Sequence, residues 1–240
     1  MLSAAVVTVT LGREELARCI ESIDAQTLPV RHYVLVDAAV SYDNYQDLAN
    51  RYAAPHRHFC WWPARIGGKD VEGRRWLAAA SFLVNEDVTL FCNDDDWFDP
   101  DHVESLVSLI DRQGLVWAYS LRKIHDKDGT YLFDDRCEAL GELHDAWNAP
   151  GHRFVDWCMW AMRTEALRSL AGALAEPGWG GDRRFYACAR QFYPNFGTTR
   201  KHSFNFRLGG NDYSVTKRFF ELGHEYMKKN YVDAMPWEVQ

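Results

Sequence analysis

Short apolar runs alternate with helix-like segments along residues 4–110, and this alternation constrains the fold more than any other feature of the chain. The run "AAVVTVT" at residues 4–10 is β-branched and uncharged, as in a strand buried on both faces of a sheet. "HYVLVDAAV" from His32 and "VTLFC" from Val88 have the same character. Between these runs, apolar residues recur at helical spacing in residues 16–23 and 73–85. This order predicts an α/β fold with a mostly parallel central sheet flanked by helices.

The carboxyl ends of the predicted strands carry acidic residues. Asp37 ends the second strand, and Asp94, Asp95 and Asp96 follow the strand that starts at Val88. Parallel α/β sheets bind ligands at this edge, so we expect the acidic side chains to face a binding site. Asp99 is predicted to cap the next helix, with Pro100 in its first position.

The second half of the chain has a different pattern. Residues 115–135 predict an antiparallel hairpin with Asp128 and Gly129 in the turn. A strand then leads into a helix that starts near Thr164, and a glycine-rich loop leads into another helix. An alternating strand and a C-terminal amphipathic helix complete the chain. We predict one domain over residues 1–240, with a nucleotide-binding half at 1–112 and an acceptor-side half at 113–240 that contains a smaller antiparallel portion and the C-terminal helix.

Charge and cysteine usage narrow the function classes. The net charge of −7 gives the whole chain no attraction for polyanions, which disfavours nucleic acid as a general partner. Six widely spaced cysteines without a CxxC pair predict reduced, buried thiols rather than a disulfide framework or a zinc site. We expect neither a leader peptide nor a transmembrane segment. The expected location is the cytoplasm, with peripheral contact at the inner membrane face as an open alternative.

Adjacent carboxylates repel one another, so the segment "NDDDWFDPD" at residues 93–101 calls for a counter-charge. One interpretation is a solvated loop with a helix cap, which explains Asp99 but not the triplet Asp94, Asp95 and Asp96. The other interpretation is a hard divalent cation such as Mn²⁺ or Mg²⁺. Such an ion binds one or two carboxylates and completes its shell with water and substrate phosphates. Both interpretations are compatible with the spacing.

The segment "NDDDWFDPDHVESLV" resembles the nucleotide-sugar site of family 2 glycosyltransferases of the GT-A fold, in which a D-x-D motif holds the metal. Other segments are similar to that family in the expected order: "VVTVTLGREELARCIESIDAQT", "VLVDAAVSYDN", "IGGKDVEGRRW" and "GWGGDRRFY". The chain departs from the pattern where Ala38 follows Asp37, since the family usually has two acidic residues there. Asn93 could also be a lost first position of the motif, so the register stays open by one residue.

The resemblance implies a role for each matching residue. The donor is a nucleoside-diphosphate sugar, most often a UDP-sugar, and Asp37 would accept a hydrogen bond from its base. Thr8 or Thr10 would line the base pocket, and Lys69, Arg74 or Arg75 would neutralise phosphate. Trp179 could stack on sugar or base, or simply pack. The expected metal ligands are Asp94 and Asp96, with Asp95 beside them and His202 as a further ligand; an ordinary structural histidine is the alternative for His202.

A carboxylate in the acceptor half completes the predicted mechanism. Asp182 follows three glycines in the loop that resembles the family's catalytic-base segment, so it would deprotonate the acceptor hydroxyl. A helix N-cap is the alternative role for Asp182. Direct attack by the activated hydroxyl inverts the anomeric centre.

The leading hypothesis is therefore a metal-dependent inverting glycosyltransferase. A sugar nucleotidyltransferase would share the alternating sheet and the acidic site, but "TLGREEL" has one glycine where that class needs a glycine-rich basic loop. A non-catalytic module that binds nucleotide or glycan is the third hypothesis. The acceptor stays open among glycan, lipid-linked sugar, peptide, small metabolite and modified nucleic-acid base.

Overall fold

The computed structural model describes residues 1–37, 40–66, 73–178, 180–209, 215–231, 235 and 237–238. These residues contain a nine-stranded sheet with helices packed against it. The strands are β1 (Ala4–Thr10), β2 (Arg31–Val36), β3 (Arg57–Trp61), β4 (Val88–Phe91), β5 (Trp97–Phe98), β6 (Trp117–His125), β7 (Tyr131–Asp134), β8 (Trp160–Arg163) and β9 (Phe196–Arg207). The helices are α1 (Leu16–Asp24), α2 (Tyr42–Arg51), α3 (Arg74–Leu83), α4 (His102–Gln113), α5 (Thr164–Ser169), α6 (Ala171–Ala175), α7 (Gly181–Phe192) and α8 (Lys217–Asn230).

The predicted α/β fold class is confirmed, and the sheet is mixed. Its strands follow the order β3-β2-β1-β4-β8-β6-β9-β5, and β7 pairs with β6 beside this path. The first four strands in that order are parallel. The second half adds antiparallel pairs of β8 with β4 and β6, of β5 with β9 and of β7 with β6, while β6 and β9 run parallel. The sheet is therefore continuous across both halves of the chain.

Burial on both faces explains why the first strands are apolar. The side chains of Val6, Val7 and Leu90 are 0% exposed, because helices cover the sheet. Helix α1 presents its buried residues Leu16, Cys19, Ile20 and Ile23 to the core. This spacing of three and four residues places them on one helix face.

Helix α4 shows one correction to the sequence-based expectations. The helix starts at His102 with Asp101 as its N-cap, so the prediction that Asp99 caps it was wrong. The carboxylate of Asp99 instead accepts hydrogen bonds from Lys123 Nζ at 2.6 Å and Asn205 Nδ2 at 3.0 Å. These partners come from β6 and β9, and the local sequence carries no signal of either contact.

Aromatic stacking joins the strands of the second half. The ring of Trp117 on β6 stacks on Phe196 of β9 with centroids 4.1 Å apart, and on Trp160 of β8 at 5.0 Å. All six cysteines are free thiols; four of them are buried as predicted, whereas Cys60 and Cys188 are partly exposed. Among the described helices, none combines the length and the apolar character needed to cross a lipid bilayer.

Candidate active site

The strands β1, β2 and β4 end at one edge of the sheet, which we call the carboxyl edge. Because these strands are parallel, Thr10, Asp37 and the segment from Asn93 to Asp96 come together there. The edge therefore gathers several of the residues that the sequence predicted to bind a ligand. The contacts of these residues show which of them are held by other protein groups and which stay accessible.

Asp94 is held by the chain itself. Its side chain is buried, and its Oδ2 accepts a hydrogen bond from the Thr10 hydroxyl at 2.7 Å and from the Leu11 backbone N–H at 3.4 Å. The guanidinium of Arg13 forms an ion pair with both Asp94 oxygens. Arg13 is thus the counter-charge for the first carboxylate of the triplet, and sequence reasoning missed it.

Asp96 is also buried and has both oxygens engaged. Its Oδ1 accepts the backbone N–H of Arg207 at 2.9 Å, and its Oδ2 accepts from Asn93 Nδ2 at 2.9 Å. Burial raises the pKa of Asp96 well above its ordinary range, and the neighbouring charge of Asp95 adds to the shift. These contacts connect the end of β4 to the end of β9, which is a structural task.

Asp95 is the least enclosed member of the triplet. Its side chain is 10% exposed, against 2% for that of Asp94, and its Oδ2 lies 3.4 Å from Arg13 Nη1. Burial raises the pKa of Asp95, while the charge of Arg13 opposes that shift. Its carboxylate is therefore the one that a ligand at the carboxyl edge can reach most directly.

The predicted base-binding residues occupy two different environments. Asp37 is buried at the end of β2, where its Oδ2 accepts a hydrogen bond from Trp76 Nε1 at 3.3 Å. Thr10 lies at the carboxyl edge but donates its hydroxyl to Asp94. Thr8 is 0% exposed, and its hydroxyl lies 3.1 Å from His32 Nε2 inside the core. The placement of Thr8 corrects the idea that it lines a pocket.

Arg74 is buried and holds the glycine-rich loop rather than facing a phosphate. Its Nη1 donates to the carbonyl of Glu176 at 2.7 Å and its Nη2 to that of Gly178 at 2.8 Å. A Cβ atom at Gly181 would collide with this guanidinium, so the loop needs glycine there. Arg75 is exposed in the first turn of α3. Of the two arginines, Arg75 is the one available to a ligand.

Two further predicted donor contacts, Lys69 and Trp179, lie outside the described residues. Their predicted roles at phosphate, sugar or base stay predictions.

Asp182 lies in the first turn of α7, which carries the predicted catalytic base. The helix N-cap is Gly180, whose φ of 76° is the left-handed conformation that glycine adopts without strain. Asp182 is therefore not the N-cap; its Oδ1 accepts the backbone N–H of Arg183 at 2.8 Å. Burial raises the pKa of Asp182, and the backbone and charge of Arg183 oppose the shift. A carboxylate with a raised pKa is suited to accept a proton.

A buried arginine that the sequence analysis did not single out lies beside Asp182. Arg122 on β6 donates from Nε to Asp135 at 2.8 Å, from Nη2 to Glu138 at 2.5 Å and from Nη1 to Asp156 at 3.3 Å. Burial alone would raise the pKa of Asp135, but Arg122 and three backbone N–H groups outweigh it and lower that pKa. For Glu138 burial prevails and raises the pKa to about 7.

This group, which we call the Arg122 cluster (Arg122, Asp135, Glu138 and Asp156), connects the two candidate acidic sites. The charge of Arg122 opposes the rise that burial causes in the pKa of Asp182, and the charge of Asp156 adds to the rise that burial causes in that of Asp96. A signal was present in the sequence, because Arg122 is a charged residue between the apolar residues Leu121 and Ile124 of a predicted strand. Its partners come from distant segments, however, so sequence reasoning could not assign them.

The structure does not bring His202 to the aspartate triplet. His202 lies in the middle of β9, five residues before Arg207, whose N–H contacts Asp96. Five residues of strand span roughly 16 Å. The His202 Nδ1 instead lies 3.9 Å from Asp134 on β7. A metal bound by both His202 and the triplet does not fit this arrangement.

Another set of ligand-type atoms, in Asp135, Cys137 and His224, lies within 4.8 Å of one another. The carboxylate of Asp135 is already filled by Arg122 and by the backbone N–H groups of residues 137–139. His224 Nε2 accepts the N–H of Arg136 at 3.3 Å. These contacts use the lone pairs that a cation would need, so the set does not fit a metal site.

Comparison with known proteins identifies the family. A family model described as Glycosyl transferase family 2 matches residues 5–171. A search of curated proteins found no significant match. Among solved structures, the chain is similar to S. aureus TarS 1-349, with a TM-score of 0.66 at 14% identity over 86% of this chain. The crystal structure of the same fragment in complex with UDP-GlcNAc gives a TM-score of 0.67 at 13% identity over 97% of this chain.

The complex of this fragment with UDP gives a TM-score of 0.62 at 12% identity over 98% of this chain. The chain spans 60% of the length of the first TarS structure and 66% of each of the two complexes. At these identities the likeness demonstrates the fold alone. The family model, in contrast, covers more than half of the chain, and it includes the acidic segment after β4. The chain therefore belongs to glycosyl transferase family 2.

Proposed function

We propose that the protein is a metal-dependent inverting glycosyltransferase that moves a sugar from a nucleoside-diphosphate sugar, a UDP-sugar foremost, to an acceptor hydroxyl. The observation that carries the proposal is the unequal engagement of the three aspartates after β4. Asp94 and Asp96 are enclosed by protein donors, whereas Asp95 keeps one long contact to Arg13 within the described residues. An acidic group kept accessible at the carboxyl edge is what a ligand site requires.

The donor class is supported by the fold and by what similar structures bind. The solved TarS fragment, which has the same fold, was crystallised with UDP and with UDP-GlcNAc. In our proposal the base and ribose lie at the ends of β1 and β2. In this proposal Asp37 accepts a hydrogen bond from a base N–H, and the exposed Arg75 meets the diphosphate.

The residues at the carboxyl edge fit a divalent cation. Mg²⁺ and Mn²⁺ need one or two protein carboxylates and take their other ligands from water and phosphate. Asp95 would be the protein ligand, with Asp94 and Asp96 fixed on either side of it. Our sequence-based ligands Asp94 and Asp96 thus become supports, and His202 is left out. When bound, the cation would stabilise negative charge on the departing diphosphate.

Asp182 acts as general base in this proposal. Its carboxylate accepts the proton of the acceptor hydroxyl as that oxygen attacks the anomeric carbon and the bond to the diphosphate breaks. Attack from the face opposite the leaving group inverts the anomeric centre. Arg74 positions the loop that leads to Asp182, and the Arg122 cluster holds the strands on its other side.

Release of UDP from UDP-GlcNAc, measured with Mn²⁺ and with a chelator, tests the proposal. We expect Mn²⁺-dependent release that Asp95→Asn reduces by at least a hundredfold. Asp182→Asn should abolish transfer while UDP still raises the melting temperature, since ligand binding stabilises the folded state. The matched control is Asp128→Asn, because Asp128 is an exposed aspartate in the β6–β7 turn.

Three outcomes would refute parts of this proposal. Equal rates of UDP release with Mn²⁺ and with chelator would refute the metal dependence. Near-parental sugar transfer by Asp182→Asn would refute the role of Asp182 as general base. A released sugar with the same anomeric configuration as the donor, observed by NMR before mutarotation, would refute inversion. If UDP binds but no donor is turned over with any acceptor tested, the chain is a binding module.

A further inference from the structure

A pocket lies in the second half of the chain, and none of the aspartate triplet lines it. Its volume is about 300 Å³, at the lower end of the range of small-molecule sites. It opens between the start of β9, the short helix Gly141–Leu143 and Trp237. Its lining residues are Tyr119, Glu142, Leu143, Phe196, Thr198 and Arg200, together with Gly197 and Trp237. The family assignment gives this pocket no role.

A bulge in β9 builds one wall of the pocket. The β6–β9 register passes from Tyr119↔Thr198 to Leu121↔His202, so β9 advances by four residues where β6 advances by two. Within this bulge Arg200 has a φ of 55°, the left-handed conformation that a side chain disfavours. Such strain persists where the surrounding structure enforces it, and it concentrates at ligand clamps.

Threonine side chains hold the bulge in place. The Thr198 hydroxyl accepts the N–H of Arg200 at 3.1 Å, and the Thr199 hydroxyl accepts the N–H of Lys201 at 3.3 Å. Backbone donors that have left the ladder are thereby satisfied locally. The bulge is a built feature rather than a frayed strand, and it directs Arg200 to the pocket.

Of the charged residues that line the pocket, Arg200 has no carboxylate partner within the described part of the chain. Glu142 is neutralised by Arg190 at 2.7 Å and Arg153 at 3.0 Å, and it also accepts the Tyr186 hydroxyl at 2.7 Å. Arg200 is exposed and donates from Nη1 to the Trp237 carbonyl at 3.3 Å. It forms no ion pair with any residue that the structure describes. The pocket therefore offers positive charge to an anion.

The rest of the wall is aromatic and is connected to the helix of the candidate base. Tyr119, Phe196 and Trp237 supply apolar surface against which the face of a sugar ring can pack. Tyr186, whose hydroxyl contacts Glu142, lies four residues after Asp182 on α7. Four residues of helix advance about 6 Å, so the pocket is roughly one helical turn further along α7 than Asp182.

We propose that this pocket binds a sugar unit that carries an anionic group, a phosphate or a carboxylate, as part of the acceptor. The ring packs against the aromatic wall, and the anion pairs with Arg200. This inference rests on the proposed function, since it supplies a second contact for an acceptor whose reacting hydroxyl is at Asp182. It specifies the acceptor class that the sequence left open.

Binding of small probes to the full chain tests the inference. The probes are glucose 6-phosphate, glucuronate, glucose and inorganic phosphate, each titrated by saturation-transfer NMR and calorimetry with saturating UDP, which keeps the nucleotide site filled. We expect both anionic sugars to bind at least tenfold more tightly than glucose, because a charged hydrogen bond is added. Both should also bind more tightly than phosphate, which cannot use the aromatic wall.

Variants separate binding from folding. Arg200→Gly removes the cation and also relieves the left-handed strain, so the variant should unfold no earlier than the parent. It should lose the tenfold preference for anionic sugars. Lys201→Ala is the matched control, because Lys201 is the next residue and bonds Asp101 at 2.7 Å instead; it should keep the preference within twofold.

Each outcome tests either the anionic subsite or the proposed function, and not both. If glucose binds as tightly as glucose 6-phosphate, or if Arg200→Gly keeps the preference, the anionic subsite is refuted even where UDP binds normally. If phosphate alone binds as tightly as the sugar phosphates, the aromatic part of the site is refuted. If UDP fails to bind the parent, the proposed function fails, while probe titrations without UDP still test the pocket.

Discussion

Replacement of Arg122 by methionine removes a cation that pairs with three carboxylates at once. The Arg122 side chain is 3% exposed, and those of Asp135 and Glu138 are 1% and 6% exposed. Methionine keeps much of the volume of arginine, so the variant isolates the charge. The carboxylates of the Arg122 cluster then have to remain charged in a low-dielectric site or take up protons.

Protonation of a carboxylate sets the scale of the cost. Asp135 has an ordinary pKa of 3.8, so protonating it at pH 7 costs about 4 kcal/mol and at pH 5 about 1.6 kcal/mol, at 1.36 kcal/mol per pH unit. Glu138 adds little, because its pKa is already raised to about 7. We expect Arg122→Met to lower the free energy of unfolding by about 4 kcal/mol at pH 7, a value typical of a broken buried ion pair.

The pH dependence follows from the direction of each shift. In the parent, the pKa of Asp135 is lowered, so its stabilisation is present above the ordinary pKa and is lost as the pH falls. In the variant that pKa is raised above its unfolded value, so the variant gains stability relative to the parent as the pH falls. The loss should therefore shrink from about 4 kcal/mol at pH 7 to about 2 kcal/mol at pH 5.

Urea unfolding of both proteins at the two pH values measures this difference. The control is Arg218→Met, because Arg218 also pairs with two carboxylates, Glu221 and Glu225, but is 63% exposed. Exposed pairs contribute about 0–1 kcal/mol. A loss below about 1 kcal/mol for Arg122→Met at pH 7, or an equal loss at both pH values, would refute the argument that the Arg122 cluster is held by charge.

Three further predictions concern the candidate active site. Gly181→Ala should reduce transfer at least tenfold, because the added Cβ displaces Arg74 from the loop before Asp182. The control is Gly172→Ala, at a position where a Cβ meets nothing within 4 Å. Equal activities of the two variants would contradict the role of Arg74 in holding the loop. The rate of transfer should fall as the pH drops through the pKa of Asp182, which burial raises above the ordinary 3.8 of aspartate. Arg183→Met should move the midpoint of the pH–rate profile upward, because Arg183 opposes that rise. A downward shift of the midpoint would count against Asp182 as the titrating group. Thr10→Val should lower the apparent affinity for Mn²⁺ in UDP release several-fold by loosening Asp94, whereas an unchanged affinity would show that Asp94 does not support the site.

Local pattern was sufficient to predict most of the elements. Each helix or strand buries one or both of its faces, so its own sequence carries a pattern of apolar residues. This pattern is seen in the helical spacing of α1 and α4 and in the apolar runs of β1, β2 and β4. Parallel order then follows from alternation, because a strand–helix–strand unit returns in the same direction. This is why Asp37 and the aspartate triplet could be assigned to one edge from the sequence.

The contacts of the triplet could not be read from the sequence. Neighbouring aspartates differ only in the direction their side chains take, and this depends on Arg13, Asn93 and the distant N–H of Arg207. The prediction that Asp96 binds metal gave no weight to the donors that β9 brings to it. Thr8 was misassigned for a related reason, since the partner that buries its hydroxyl is His32 on the next strand.

The sequence by itself determined the alternating α/β order, the acidic carboxyl edge and the resemblance to family 2 glycosyltransferases, because these depend on residues close together in the chain. Only the tertiary structure decided that Asp95 is the accessible carboxylate, that Arg13 and Arg122 are counter-charges, and that His202 lies far from the triplet. These facts depend on strand pairings between segments up to a hundred or more residues apart, such as β5 with β9. Side-chain direction and charge compensation are set by such pairings, and a local pattern carries no record of them.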